Sequence, residues 1–235
     1  MDLEAYFTAE GDAFRVTREQ ASQFAKSVAG DFNPIHDPDA RRFCVPGDLL
    51  FSLLLNRIGL SRHISVEFTG MVDEKHTLQL EHTDTDSQLV EGDKTFLTAS
   101  HDTPLDASRD TIDALTTAYV SYSGQTFPHI LVPLWREHGV MVNPARPMVM
   151  YRSMQLTLDR ADATELSLTP RDSSLNVDGK KGAVTLAFNI VDGAGETVGH
   201  GEKHMLLSGL RAWEDDAVAG IIAEYESVKT AWQPA

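Results

Sequence analysis

Ala29-Gly30-Asp31-Phe32-Asn33-Pro34-Ile35-His36 places an acid, an amide and an imidazole within a few residues, with a proline among them. A proline disfavours helical geometry in the residue before it, so Asn33 should be extended. The stretch is therefore expected to be an ordered loop that brings Asp31 and His36 to one point. A carboxylate and an imidazole so placed can share acid and base duties on a small substrate or a water. The same pair can equally serve as a hydrogen bond that holds a loop and does no chemistry.

Upstream, Phe14-Arg15-Val16 suits a short strand leading to Thr17. Thr17 with Gln20 three residues on forms a capping-box pattern. Ala21, Phe24, Ala25 and Val28 follow at helical spacing, and Gly30 is placed to end that helix. Downstream, Pro46-Gly47 opens a second helix, Asp48-Leu49-Leu50-Phe51-Ser52-Leu53-Leu54-Leu55-Asn56-Arg57-Ile58, stopped near Gly59. It is apolar nearly all round, which predicts burial on most sides. Asp48 in its first turn complements the helix dipole.

Strands are expected at Ile64–Val72, Thr77–Thr83 and Lys94–Ser100, with the alternation of a half-buried antiparallel sheet. One buried helix beside several strands indicates an α+β unit with a sheet wrapped around a helix. Thr103–Ser108 is polar, contains Pro104 and is expected to be a linker. Beyond it the order of elements recurs: helices at Ile112–Tyr122 and Phe127–His138, then strands at Met148–Leu158, Thr164–Thr169, Ala183–Val191 and Thr197–Leu207. Pro133 weakens the middle of the second of these helices. Asp192-Gly193-Ala194-Gly195 is a hairpin turn, and Glu214–Trp232 has a helical pattern.

Composition narrows the class of function. A formal net charge of −15 and a pI near 4.9 argue against nucleic-acid and anionic-membrane partners, which need dense positive charge. Cys44 is the one cysteine, so neither an internal disulfide framework nor a multi-cysteine zinc site is available. No signal peptide and no membrane-spanning run is visible, and a cytoplasmic protein is expected.

At Gly30-Asp31-Phe32-Asn33-Pro34-Ile35-His36 and Gly47 the chain resembles the MaoC-like dehydratases, best known as (R)-specific enoyl-CoA hydratases. Their motif runs Asp, Asn-Pro-Ile, His, then a glycine opening a central helix. The segment Ile64–Val72 is similar to the strand that follows that helix. The specific match spans about residues 15 to 85. The resemblance implies a hotdog fold, in which a long antiparallel sheet curls around a central helix. The element order beyond the linker extends this to a tandem, double hotdog: residues 1–105 carrying the motif, and residues 106–235 without it, ending in a helix. The whole is also similar to a bacterial family of tandem hotdog units for which the resemblance supplies no activity.

The resemblance implies a hydratase or dehydratase acting on an enoyl or 3-hydroxyacyl thioester of CoA or acyl carrier protein. Asp31 and His36 would be catalytic and would activate a water. Asn33 would hold the loop or the carboxylate, and the Gly47 N–H would receive the thioester oxygen. Asp48, at the start of the helix, is a further binding candidate and the carboxylate of a thioesterase alternative. A non-catalytic acyl-thioester-binding protein is the other alternative. No cofactor and no metal is implied, and a homodimer or a pseudo-dimeric monomer is expected. The sequence departs from the family pattern in a shortened His36-to-Gly47 connection, in Val45-Pro46 where Ala-His is customary, in Met71 for a proline, and around Lys75-His76.

Arg41 and Arg42 suit a phosphate or a solvated face. Cys44 reads as a small buried hydrophobe more readily than as a nucleophile. His200 and His204 share one strand face without further ligands. Asn143-Pro144 echoes the motif but lacks the acid and the histidine, so the second half is expected to complete the fold or a tunnel.

Overall fold

Capping chemistry at Thr17 sets the chain's entry into the site. In the computed structural model, which describes residues 1–233, the Thr17 hydroxyl accepts from the Gln20 N–H at 3.2 Å. The Gln20 side chain accepts from the Thr17 N–H at 3.0 Å, completing the box. The short strands β1 (Thr8–Glu10) and β2 (Ala13–Arg15) precede it, and α1 (Arg18–Gln23) follows. The helix then widens into a π-helical segment, Phe24–Ala29, and stops at Gly30, whose φ of 68° favours glycine. The Asp31 N–H donates back to the Ala25 carbonyl at 2.8 Å across the wide turn.

The apolar helix forms as expected, as α2 (Gly47–Ile58). Leu49, Leu50, Phe51, Leu53, Leu54 and Leu55 are each at most 3% exposed. Each such burial is worth roughly 1.5–3 kcal/mol, so this helix anchors the core. Around it run β3 (His63–Phe68), β4 (Leu78–His82), β5 (Asp86–Glu91) and β6 (Lys94–His101). Then come α3 (Arg109–Gly124), α4 (Leu131–Glu137) and β7 (Val140–Met141). The long strands β8 (Val149–Leu158), β9 (Leu166–Asp178), β10 (Lys181–Asp192) and β11 (Thr197–Ser208) follow. The short β12 (Arg211–Ala212) pairs with β7, and α5 (Asp215–Ala231) closes the chain.

Ten strands make one antiparallel sheet in the order β1-β2-β4-β5-β6-β3-β8-β11-β10-β9. Strands before residue 102 lie on one side of the β3–β8 seam and strands after residue 148 on the other, with Ile64 opposite Leu156 and Val66 opposite Met154. Helices α2 and α3 pack together, and the core residues of both belong to one apolar cluster with those of the sheet. A second cluster, around Trp135, Leu186 and Val218, lies beneath α4 and α5. No helix among the described residues is long and apolar enough to cross a membrane.

Several boundaries differ from the sequence reading for physical reasons. Strand β5 was not expected, because Asp86-Ser87-Gln88 is polar and only Leu89-Val90 carries an apolar signal. β9 continues past Thr169 through Pro170 and a polar run because it is the sheet's edge, where proline and polar side chains are tolerated. The chain leaves the sheet after Phe68, before Val72, and the Val72 carbonyl instead accepts from the Val45 N–H at 2.8 Å. α4 is shorter than Phe127–His138. Pro133 falls in its first turn, where the N–H would have no intrahelical partner.

Candidate active site

The loop after Gly30 folds on its own side chains. Asp31 Oδ1 accepts from the Asn33 N–H at 2.9 Å, and Asn33 Oδ1 accepts from the Ile35 N–H at 3.2 Å. Asn33 is extended, as the residue before a proline should be, and caps a single 3-10 turn over Pro34–His36. Asn33 thus holds the loop with its side chain and the Asp31 carboxyl with its backbone.

The same fold aims the imidazole. His36 Nδ1 lies 2.6 Å from the Cys44 carbonyl oxygen. A carbonyl can only accept, so in the neutral ring Nδ1 carries the proton and Nε2 presents its lone pair. Nε2 stands 3.8 Å from Asp31 Oδ2, with 31% of the Asp31 side chain and 12% of the His36 side chain exposed. That spacing is too long for a direct hydrogen bond and leaves the two groups facing a shared point. Burial pushes the Asp31 carboxyl above its usual range, and the negative charge of Asp48 adds to this. His36, the Asn33 N–H and Lys203 pull the other way.

At the start of α2, Gly47 lies against two aromatic rings. A Cβ there would stand 3.0 Å from a ring carbon of Tyr151 and 3.2 Å from one of Phe68. Asp48 is buried and turned toward the second half of the chain. Its Oδ2 accepts from the Ser123 hydroxyl at 2.5 Å, and its Oδ1 lies 3.4 Å from Lys203 Nζ. Lys203 Nζ also donates to Ser123 Oγ and sits 4.0 Å above the Tyr151 ring. The Tyr151 and Tyr119 hydroxyls bond to each other, and burial holds both well above the ordinary phenol range.

Ser123, Lys203, Tyr119 and Tyr151 are the residues the sequence reading missed. The signal for Lys203 was present. Gly201, Lys203, Met205 and Leu207 alternate along the inward face of β11, so a lysine stands where an apolar residue belongs. Side chains of the second half thus reach the start of α2.

The remaining candidates lie apart or are occupied otherwise. Arg41 and Arg42 are exposed in the connection between His36 and α2. Burial pushes the Cys44 thiol up to about 11, which keeps it a thiol while its carbonyl holds His36. His200 and His204 face outward on β11, where His204 meets Thr185 Oγ1 at 3.2 Å. Asn143 only holds its own turn, accepting from the Ala145 N–H at 3.2 Å. An open groove of about 880 Å³ runs along the other face of α3, past Thr117 and Ser121, toward Leu166 and Leu168 of β9. None of Asp31, His36, Gly47 and Asp48 lines it.

The C-terminal helix meets this loop from outside. Tyr225 of α5 donates to the Gly30 carbonyl at 3.2 Å, and Phe32 packs edge-on against Tyr225 and Trp232. Gly124, at the end of α3, touches the Ala29 backbone so closely that a Cβ would fall 1.7 Å from its carbonyl oxygen.

A family model described as "Protein of unknown function (DUF3581)" matches residues 1–216. The chain belongs to this family. No curated protein matches it. Among solved structures, it is similar to a conserved protein of unknown function with a hot dog fold from Alicyclobacillus acidocaldarius. That match has 8% identity, covers 88% of this chain and 97% of the other, and has a TM-score of 0.50. The tesB protein of Mycobacterium avium subs paratuberculosis matches at 11% identity, over 87% and 96% of the two chains, with a TM-score of 0.49. An N-terminal dehydratase from the difficidin assembly line matches at 11% identity, over 87% and 94%, with a TM-score of 0.40. The fold is a tandem hotdog, an antiparallel sheet wrapped around α2 and α3.

Proposed function

We propose that the chain is a hydratase–dehydratase of enoyl and 3-hydroxyacyl thioesters, with residues 1–105 as the unit that carries the acid–base loop. The observation that carries this reading is the aimed pair: His36 Nε2, left basic by the Nδ1–H bond to Cys44, facing Asp31 Oδ2 at 3.8 Å. The hotdog fold and the resemblance to MaoC-like dehydratases support the substrate class.

In this reading a water held at the shared point loses a proton to the Asp31/His36 pair. Its hydroxyl bonds the β-carbon of the enoyl thioester, and the electrons of the double bond move toward the thioester oxygen. The Gly47 N–H, at a helix N-terminus, meets that developing charge. The pair then returns one proton to the α-carbon, and one water has been added. A carboxyl whose proton affinity is raised by burial suits the donor part of this exchange. A thioesterase reading would use Asp48 instead. Both Asp48 oxygens already meet Ser123 and Lys203, which favours the hydratase.

The test is loss of enoyl absorbance when purified protein meets crotonyl-CoA and longer enoyl thioesters, with free-thiol release followed in parallel. Turnover without thiol release is expected. Folded protein that binds these thioesters and turns none over would be a binding module, and the hydratase reading would fail.

A further inference from the structure

Lys203 is 4% exposed, Ser123 and Asp48 are each 8% exposed, and they join three elements far apart in sequence. The donors run in one direction: Lys203 Nζ donates to Ser123 Oγ, and the Ser123 hydroxyl donates to Asp48 Oδ2. Two buried charges give up their hydration to meet, and apolar residues of similar volume often pack as stably as such a pair. The charge is therefore poorly explained as a stabilising device. Its place is informative. Asp48 is in the first turn of α2, next to Gly47, and the Tyr151 ring touched by Gly47 is the ring beneath the Lys203 ammonium.

We propose that Lys203 is a positioning residue for the site: from the second half of the chain it holds, through Ser123 and Asp48, the first turn of α2 beside the Asp31 loop. Its catalytic consequence rests on the hydratase reading, while its electrostatic consequence does not. Ser123 adjoins Gly124, which abuts the Ala29–Gly30 backbone just before Asp31, and Tyr225 of α5 donates to the Gly30 carbonyl. The charged and polar groups that act on the Asp31 carboxyl are His36 and the Asn33 N–H on its own loop, Asp48 from α2 and Lys203 from β11. Among them Lys203 and Asp48 oppose each other. Removing Asp48 leaves the ammonium alone, which favours ionised Asp31. Removing both charges returns Asp31 toward its starting point.

The experiment follows the Asp31 carboxyl by NMR in full-length protein labelled with ¹³C-carboxyl aspartate, the resonance being identified by its absence in Asp31→Asn. Wild type, Asp48→Asn and Asp48→Asn/Lys203→Met are titrated. The Asp31 midpoint should fall in Asp48→Asn and rise again in the double variant, each by at least about half a pH unit, less than the roughly 1–3 units of an adjacent charge because a third of the Asp31 side chain is exposed. Coincident midpoints in folded Asp48→Asn and the double variant would overturn the proposal. A role in packing alone would leave these midpoints together. If Asp48→Asn fails to fold, the neutral pair Asp48→Asn/Lys203→Met is compared with Asp48→Asn/Lys203→Arg. The arginine variant should have the lower midpoint, and equal midpoints would overturn the proposal. Should no enoyl thioester be turned over, the functional reading fails while the titration still decides the role of Lys203. Where turnover is seen, the limb of the kcat–pH profile should move with the NMR midpoint.

Discussion

His36 Nδ1 donates to the carbonyl of Cys44 at 2.6 Å, so the backbone just before α2 decides which imidazole nitrogen is free. The side chain of Cys44 takes no part in that bond. Cys44→Ala is therefore expected to leave turnover close to wild type, and the wild-type thiol, pushed up to about 11, should resist iodoacetamide near about pH 8. His36→Ala should lower kcat by about 10²–10⁴-fold, the usual worth of a positioned acid–base group. Steady-state kinetics with an enoyl thioester checks both. Retained activity in His36→Ala would remove the imidazole from the chemistry.

Asp31 should be a liability to stability that activity requires. Its folded carboxyl binds a proton more tightly than the ordinary value near about 4, so stability is greatest below that value and is lost as pH rises through the raised one. Asp31→Asn should abolish turnover and raise Tm at about pH 7, with the gain vanishing by about pH 3, where both forms are neutral. The exposed third of the side chain keeps the gain modest. Scanning calorimetry at the two pH values gives the answer, and a lower Tm at neutral pH would contradict it.

Gly124→Ala tests whether the loop is seated on α3. A methyl would fall 1.7 Å from the Ala29 carbonyl oxygen, and backbone, not a flexible side-chain end, must move. A loss of about 1–3 kcal/mol in denaturant unfolding is expected, the usual range for overpacking, with turnover falling alongside. Unchanged stability would mean that the two segments separate freely.

Arg41 and Arg42 are exposed beside the His36-to-Gly47 connection in a strongly acidic chain. If they meet the phosphates of CoA, replacing each with alanine should raise KM for a CoA thioester by up to about fivefold, the range of an exposed ion pair. KM for a pantetheine thioester lacking the nucleotide should not change. Equal effects on both substrates would assign the arginines to the solvated surface.

What the sequence revealed was local. Thr17 with Gln20, Gly30, and Pro34 after Asn33 each act within a turn of their own position, so the helix, its end and the loop could all be read. The α2 leucines announce burial without naming a partner. Ser123 and Lys203 stand 75 and 155 residues from Asp48, and only the packing of α3 and β11 around α2 brings them there. The lysine among inward-facing positions of β11 marks a buried charge, but nothing local to it points to α2. β5 is hidden because Asp86-Ser87-Gln88 is polar throughout, the inward-facing Ser87 included, and β9 runs on because an edge strand makes few demands on composition. The π-helical turn at Phe24–Ala29 has no local signature in these residues, though it delivers Gly30 to Gly124 and Tyr225.

The β3–β8 seam also sets a stoichiometry. Two identical hotdog chains would present two equivalent loops, whereas here the pairing is built within one polypeptide whose halves are not copies. One half carries Asp31 and His36, and the other carries Lys203, Ser123, Tyr119 and Tyr151. A tight-binding thioester analogue titrated against the protein should saturate at one equivalent per chain, however the chains associate.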